Sequence, residues 1–135
     1  MGQQQLLLIV LGVILVGVAV VLGIQYFGAG AEEGAKDELT SHNMIIGSNA
    51  QEWFKKPKAM GGGDGTFVGF TAKQWTGNLA TRLGESTNGT YSIPSEAVDN
   101  LVVLGQPKTG KGFQFTNVTT TVYLDSMITE INATP

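Results

Sequence analysis

The run Leu6-Leu7-Leu8-Ile9-Val10-Leu11-Gly12-Val13-Ile14-Leu15-Val16-Gly17-Val18-Ala19-Val20-Val21-Leu22-Gly23-Ile24 decides how the rest of the chain has to be read. It is 19 residues long and holds no polar side chain. As a helix rising about 1.5 Å per residue it spans roughly 28 Å, close to the thickness of a bilayer's hydrocarbon core. A helix that is apolar on every side must be surrounded by lipid or by other helices. Gly12, Gly17 and Gly23 each weaken a helix in water by about 1 kcal/mol relative to alanine, yet they permit close backbone approach in a membrane or a bundle. Their spacing of five and six is not that of the Gly-x-x-x-Gly dimer motif.

Three readings of this run compete. A cleaved secretory signal is the first, since Ala29-Gly30-Ala31 has the small-x-small look of a processing site. No Lys or Arg precedes the run, however, and it is longer than the usual signal core. The second is a single-span anchor. The third is a helix that first sits in the membrane and later packs among copies of itself, and this one depends on the residues after Phe27.

Beyond Phe27 comes a small-residue patch, Gly28-Ala29-Gly30-Ala31, and then the charged residues Glu32, Glu33, Lys36, Asp37 and Glu38. Ala31, Ala35, Leu39, Asn43, Ile46, Ala50 and Trp53 recur at spacings of three and four, which is one helical face, widened by Met44, Ile45 and Phe54. No proline occurs before Pro57, and Lys55 and Lys56 suit the negative end of a helix dipole. Continuity is weakest at Gly28, Gly30, Gly34 and Gly47. The pattern predicts one helix over 1–56, apolar all round in its first half and amphipathic in its second. At about 1.5 Å per residue that is roughly 80 Å of helix.

Residues 57–135 read as a small β-rich head. Gly61-Gly62-Gly63-Asp64-Gly65 reads as a flexible loop, followed by the apolar run Phe67-Val68-Gly69-Phe70. The stretch 71–83 is ambiguous and has room for a short turn of helix. Tyr91-Ser92-Ile93 follows the turn former Asn88-Gly89 as a short strand, and Leu101-Val102-Val103-Leu104 reads as a buried one. In 112–124, Phe113 and Phe115 alternate, while Val118, Val122 and Leu124 fall on the other parity, which predicts a bulge near Asn117. Met127 to Ile131 closes as a further strand. Three or four short strands need a partner surface, and the amphipathic half of the helix supplies one through Leu39, Ile46, Ala50 and Trp53. The expected fold class is α+β: a long N-terminal helix packed against a small C-terminal antiparallel β-domain.

Composition narrows the function. The chain has 135 residues, a net charge of -3 and only 14% charged residues, all between Glu32 and Glu130. No cysteine means no disulfide, no thiolate metal site and no cysteine nucleophile. The lone His42 leaves no partner for a His-based triad, and is expected at the surface or in a subunit contact. Mild acidity argues against nucleic acid, which needs a basic face. Gly105-Gln106-Pro107-Lys108-Thr109-Gly110-Lys111-Gly112 has phosphate-loop spacing, but Gly112 stands where a hydroxyl should hold magnesium. With strand-like sequence on both sides it reads as a hairpin loop. Asp64 alone is far short of the six to eight oxygens that calcium takes. Three Asn-x-Thr sequons, at Asn88, Asn117 and Asn132, exceed the roughly one expected by chance and mark candidate glycosylation sites. No enzyme, cofactor or metal site is expected.

This arrangement resembles the type IV pilin family and its pseudopilin relatives. The shared pattern is an apolar start, a helix of about fifty residues and a small β-domain. With Met1 taken as the first mature residue, the stretch from Met1 to Val10 matches the family's start in length and register. Position five is Gln5 where the family usually carries glutamate, and the family's frequent cysteine pair is absent. The resemblance implies a structural subunit of an extracellular filament, held in the cytoplasmic (inner) membrane before assembly. Its partners would be other copies of itself and the pilus assembly machinery. Leu6, Leu7, Ile9, Val10, Val13, Ile14, Val16 and Val20 would then form the membrane and filament-core surface. Gly12, Gly17 and Gly23 would be points of local unwinding, and Gln3, Gln4 and Gln5 a polar ring that assists assembly. The alternatives are a pseudopilin of a secretion apparatus and a single-span, membrane-anchored binding module.

Overall fold

In the computed structural model, which describes residues 2–73, 75, 80–108 and 113–133, one helix, α1, runs unbroken over Gly2–Lys55. The glycines at 28, 30, 34 and 47 do not interrupt it. It is followed by a 3-10 turn at Lys58–Met60, a short helix α2 at Ala80–Leu83, and four strands. These are β1 at Gly89–Glu96, β2 at Asn100–Pro107, β3 at Phe115–Tyr123 and β4 at Met127–Ala133. The strands form one antiparallel sheet in sequence order, and the fold class is α+β. The chain divides into two compact units at Gly34/Ala35, inside α1 rather than at its end. The boundary falls there because burial begins at Ala35.

In the second unit the helix lies on one face of the sheet. Ala35, Leu39, Ile46 and Ala50 are fully buried, together with Phe67, Phe70, Leu101, Val103, Val118 and Val122. Trp53 is nearly so, set edge-on to Phe70 with ring centroids 5.7 Å apart. The widened face of the sequence reading is corrected at two points: Met44 and Ile45 remain nearly half exposed, and Gly47 takes their place against the sheet. A Cβ on Gly47 would stand 2.6 Å from the Met127 Sδ and 2.9 Å from the Val122 Cγ2. Only hydrogen fits there, so the helix sits closer to the sheet than a larger residue would permit. Ala31 is exposed.

The helix ends at Pro57, and the glycine run is a cap rather than a free loop. The Gly63, Gly65 and Asp64 amides donate to the carbonyls of Trp53, Phe54 and Lys56 at 2.8, 3.0 and 2.9 Å. These are orphan acceptors at a helix C-terminus. Gly61 and Gly65 have φ of 81° and 86°, which explains glycine at both. The Trp53 indole also donates to the Gly61 carbonyl at 3.1 Å.

Phe67–Phe70, expected within a β-rich stretch, is instead a turn that feeds a wide helical turn at 70–73. The Glu96 carboxylate caps it, accepting from the Gly69 amide at 3.1 Å, the Thr71 amide at 3.0 Å and the Thr71 hydroxyl at 2.9 Å. β2 is corrected as well. Leu101 and Val103 are buried but Val102 and Leu104 only half so, because α1 covers one face of the sheet and not the other. The parity change in β3 is present as a register shift between Phe115 and Asn117.

Candidate functional site

In the first unit, Leu6, Leu7, Ile9, Val10, Val13, Ile14, Val16 and Val20 are each more than half exposed, and they point in every direction around the helix. No part of the most apolar 18-residue window is buried. The helix is long and apolar enough to cross a membrane. Its backbone amides and carbonyls are satisfied internally, the condition for a chain inside hydrocarbon. Gly12, Gly17 and Gly23 are fully helical, and a Cβ at any of them would meet nothing within 4 Å. Nothing in the described chain therefore requires glycine at these three positions. Gln3, Gln4 and Gln5 lie exposed in the first turn, Gln3 beside Leu6, Leu7 and Val10 in a shallow apolar groove. Tyr26 and Phe27 close the apolar stretch at 78% and 83% exposure. A phenol at that level suits a membrane–water boundary.

The head holds a polar cluster that the sequence reading did not assemble. His42 is half-buried and stacks on Tyr91 with centroids 4.4 Å apart, so it is a contact within the head. The Tyr91 hydroxyl is 2.9 Å from the Ser86 hydroxyl. Ser86 and the Asn88 amide both hydrogen-bond the Glu38 carboxylate. Partial burial works to raise the Glu38 pKa, but these hydrogen bonds and the nearby His42 outweigh it and hold the carboxyl below its ordinary range. Burial raises the Tyr91 phenol, and the Glu38 charge adds to that effect against the Ser86 hydrogen bond. The Glu38/His42 spacing of four was the one signal available in the sequence. Ser86, Asn88 and Tyr91 come from elsewhere in the chain and gave none.

The three sequons differ in what holds them. Asn88 is half-buried, with its amide nitrogen committed to Glu38. Asn117 and Asn132 sit opposite each other on β3 and β4, and the Asn132 Nδ2 donates to the Asn117 Oδ1 at 2.7 Å. Thr134, which completes the third sequon, lies outside the described residues. So do Thr109 to Gly112 of the phosphate-loop-like segment, and 74 and 76–79 of the ambiguous stretch. Lys108 precedes the former and pairs with Glu85 at 2.7 Å. Asp64 is exposed, with φ of 50°. Among the described residues no group of three or more His, Cys, Asp or Glu is placed to hold a metal. No family model, curated protein or solved structure matches this chain.

Proposed function

We propose that this chain is a structural subunit of a type IV pilus-like filament, polymerising through the apolar half of α1 with the β-heads outside. The observation that carries the reading is the unbroken α1: its residues 6–24 expose apolar side chains all round, and the same helix supplies the head's core from Ala35 to Trp53. Removing apolar surface from water is favourable by about 25 cal/mol per Å². A membrane does this for a single copy, and a bundle of such helices does it after the copies leave the membrane. The glycines at 12, 17 and 23, at which a Cβ would meet nothing among the described residues, support the bundle, since close neighbours would use the space that they leave.

Electron microscopy of material sheared from producing cells, with mass spectrometry of the same fraction, tests the proposal. Thin filaments composed mainly of this chain are the expected result. Detergent-extractable monomer that never polymerises overturns it in favour of a membrane-anchored module. Short assemblies confined to the cell envelope would place the chain among pseudopilins.

A further inference from the structure

The sheet is open, so it has two edges, and they are built differently. The β1 edge is guarded. Pro94 carries no amide hydrogen, and pairing with β2 shifts register between Ser92 and Ser95. The first half of that edge is covered, because Glu85 bridges Thr90 and the Tyr91 amide donates to the Gly84 carbonyl at 2.9 Å. Proline, a bulge and a covering loop are devices that stop an edge from pairing with another chain. Among the described residues, the outer edge of β4 has none of them. Met127-Ile128-Thr129-Glu130-Ile131-Asn132-Ala133 is rich in β-branched residues, contains no proline or lysine, and carries one charge. Ile128 and Ile131, on opposite faces of the sheet, stay 53% and 49% exposed. An apolar strand with a free row of amides and carbonyls is a template for an additional strand.

We propose that β4 pairs antiparallel with β4 of a second copy of this chain, about a two-fold axis at Thr129. The guarded β1 edge cannot serve as the acceptor, so sheets do not extend head to tail. A β4–β4 contact closes on itself and uses both bare edges. Charge excludes one register and apolar pairing selects another. With the axis at Glu130, two carboxylates would stand directly opposite each other, which is destabilising. With the axis at Thr129, Met127 faces the second copy's Ile131 twice on one side of the sheet. On the other side Ile128 faces Glu130, and the carboxylates separate. This contact does not rest on the filament reading.

The chain contains no cysteine, so single-cysteine variants report the register directly. Residues directly opposite in an antiparallel pair have Cα atoms about 4.5–5.5 Å apart, within the span of a disulfide, while an offset of two residues lies beyond it. The full-length chain in detergent micelles is oxidised with diamide and the disulfide-linked dimer followed in time. Thr129→Cys is expected to cross-link about tenfold faster than Glu130→Cys, or than Ser95→Cys on the guarded edge. The Thr129 hydroxyl contacts Thr120 at 3.0 Å, so a second measurement avoids it. Ile128→Cys mixed with Glu130→Cys should give the mixed dimer in preference to either homodimer. Adding Ile131→Lys should remove the cross-linking in both experiments. Thr129→Cys no faster than the Ser95→Cys control, no preference for the mixed dimer, or an Ile131→Lys variant with unchanged rates would each overturn the proposal.

Discussion

Asn43 reaches from α1 to β3: its Nδ2 donates to the Val118 carbonyl at 2.9 Å, across 75 residues of sequence. The side chain is fully buried, and its Oδ1 has no hydrogen-bond partner among the described residues. This buried contact ties the helix to the centre of the sheet, and nearer the helix end the Gln51 Nε2 donates to the Tyr123 carbonyl at 2.6 Å. Asn43→Ala removes the donor and opens a cavity. It is expected to lower the head's stability by about 1–3 kcal/mol, measured as the urea midpoint of tryptophan fluorescence. Asn43→Leu fills the space and should lose less.

Gly47 and Gly17 make a matched pair. Both sit in α1, and alanine favours a helix by about 1 kcal/mol at either position. At Gly47 the new methyl meets Val122, whose β-branched side chain has few alternatives, and the Met127 Sδ. Gly47→Ala is therefore expected to lower the melting temperature of the head, since overpacking costs about 1–3 kcal/mol. Gly17→Ala meets nothing and should leave that temperature unchanged. A drop in filament yield from Gly17→Ala alone would then report neighbours packed at that glycine.

Val13 is 67% exposed and far in sequence from the head's core. Val13→Asp is expected to leave the head's circular dichroism intact and to abolish polymer formation, because an unpaired charge is not tolerated in an apolar bundle. Normal filaments from this variant would remove the bundle from consideration. Gln5→Ala, in the same assay, should slow assembly if the glutamine ring takes part.

Glu96 links stability to pH. Partial burial works to raise its pKa, but the hydrogen bonds from Thr71 and Gly69 exceed it and the net shift is downward. A carboxyl lowered in the folded state contributes stability that is fully present above its unfolded value. That contribution is lost as pH falls through the folded value. The head should lose stability below about pH 4.3, the ordinary value for glutamate. Glu96→Gln should be less stable than wild type at neutral pH, with the gap closing in acid. Glu38, lowered by Ser86 and Asn88 against its own partial burial, acts in the same direction. Urea midpoints measured from pH 7 downward check both.

Much of the fold was legible in local pattern. The apolar run, the three-and-four spacing from Ala35 to Trp53, and the stop at Pro57 define α1, because each depends on residues within a few turns. The parity change near Asn117 was legible for the same reason. Three features were not. The glycine run looked like a loose linker, and only its return onto the Trp53 and Phe54 carbonyls makes it a cap. Gly47 looked like a weak point in the helix, and only the nearness of Val122 and Met127 explains it. The caps made by Glu96 and Glu38 carried no sequence signal, because the turn at 69–71 and the residues Ser86 and Asn88 that they bind are distant in the chain.

Nineteen consecutive residues without a polar side chain are enough to force the first half of α1 out of water, whatever surrounds them. The period of each element is likewise written in the chain, because hydrophobic spacing is local. Which side of β2 is covered, which glycine is a close approach and which sheet edge is left open are set by the packed fold. Those depend on residues distant in sequence meeting across one interface, and side-chain spacing along the chain carries no record of the partner.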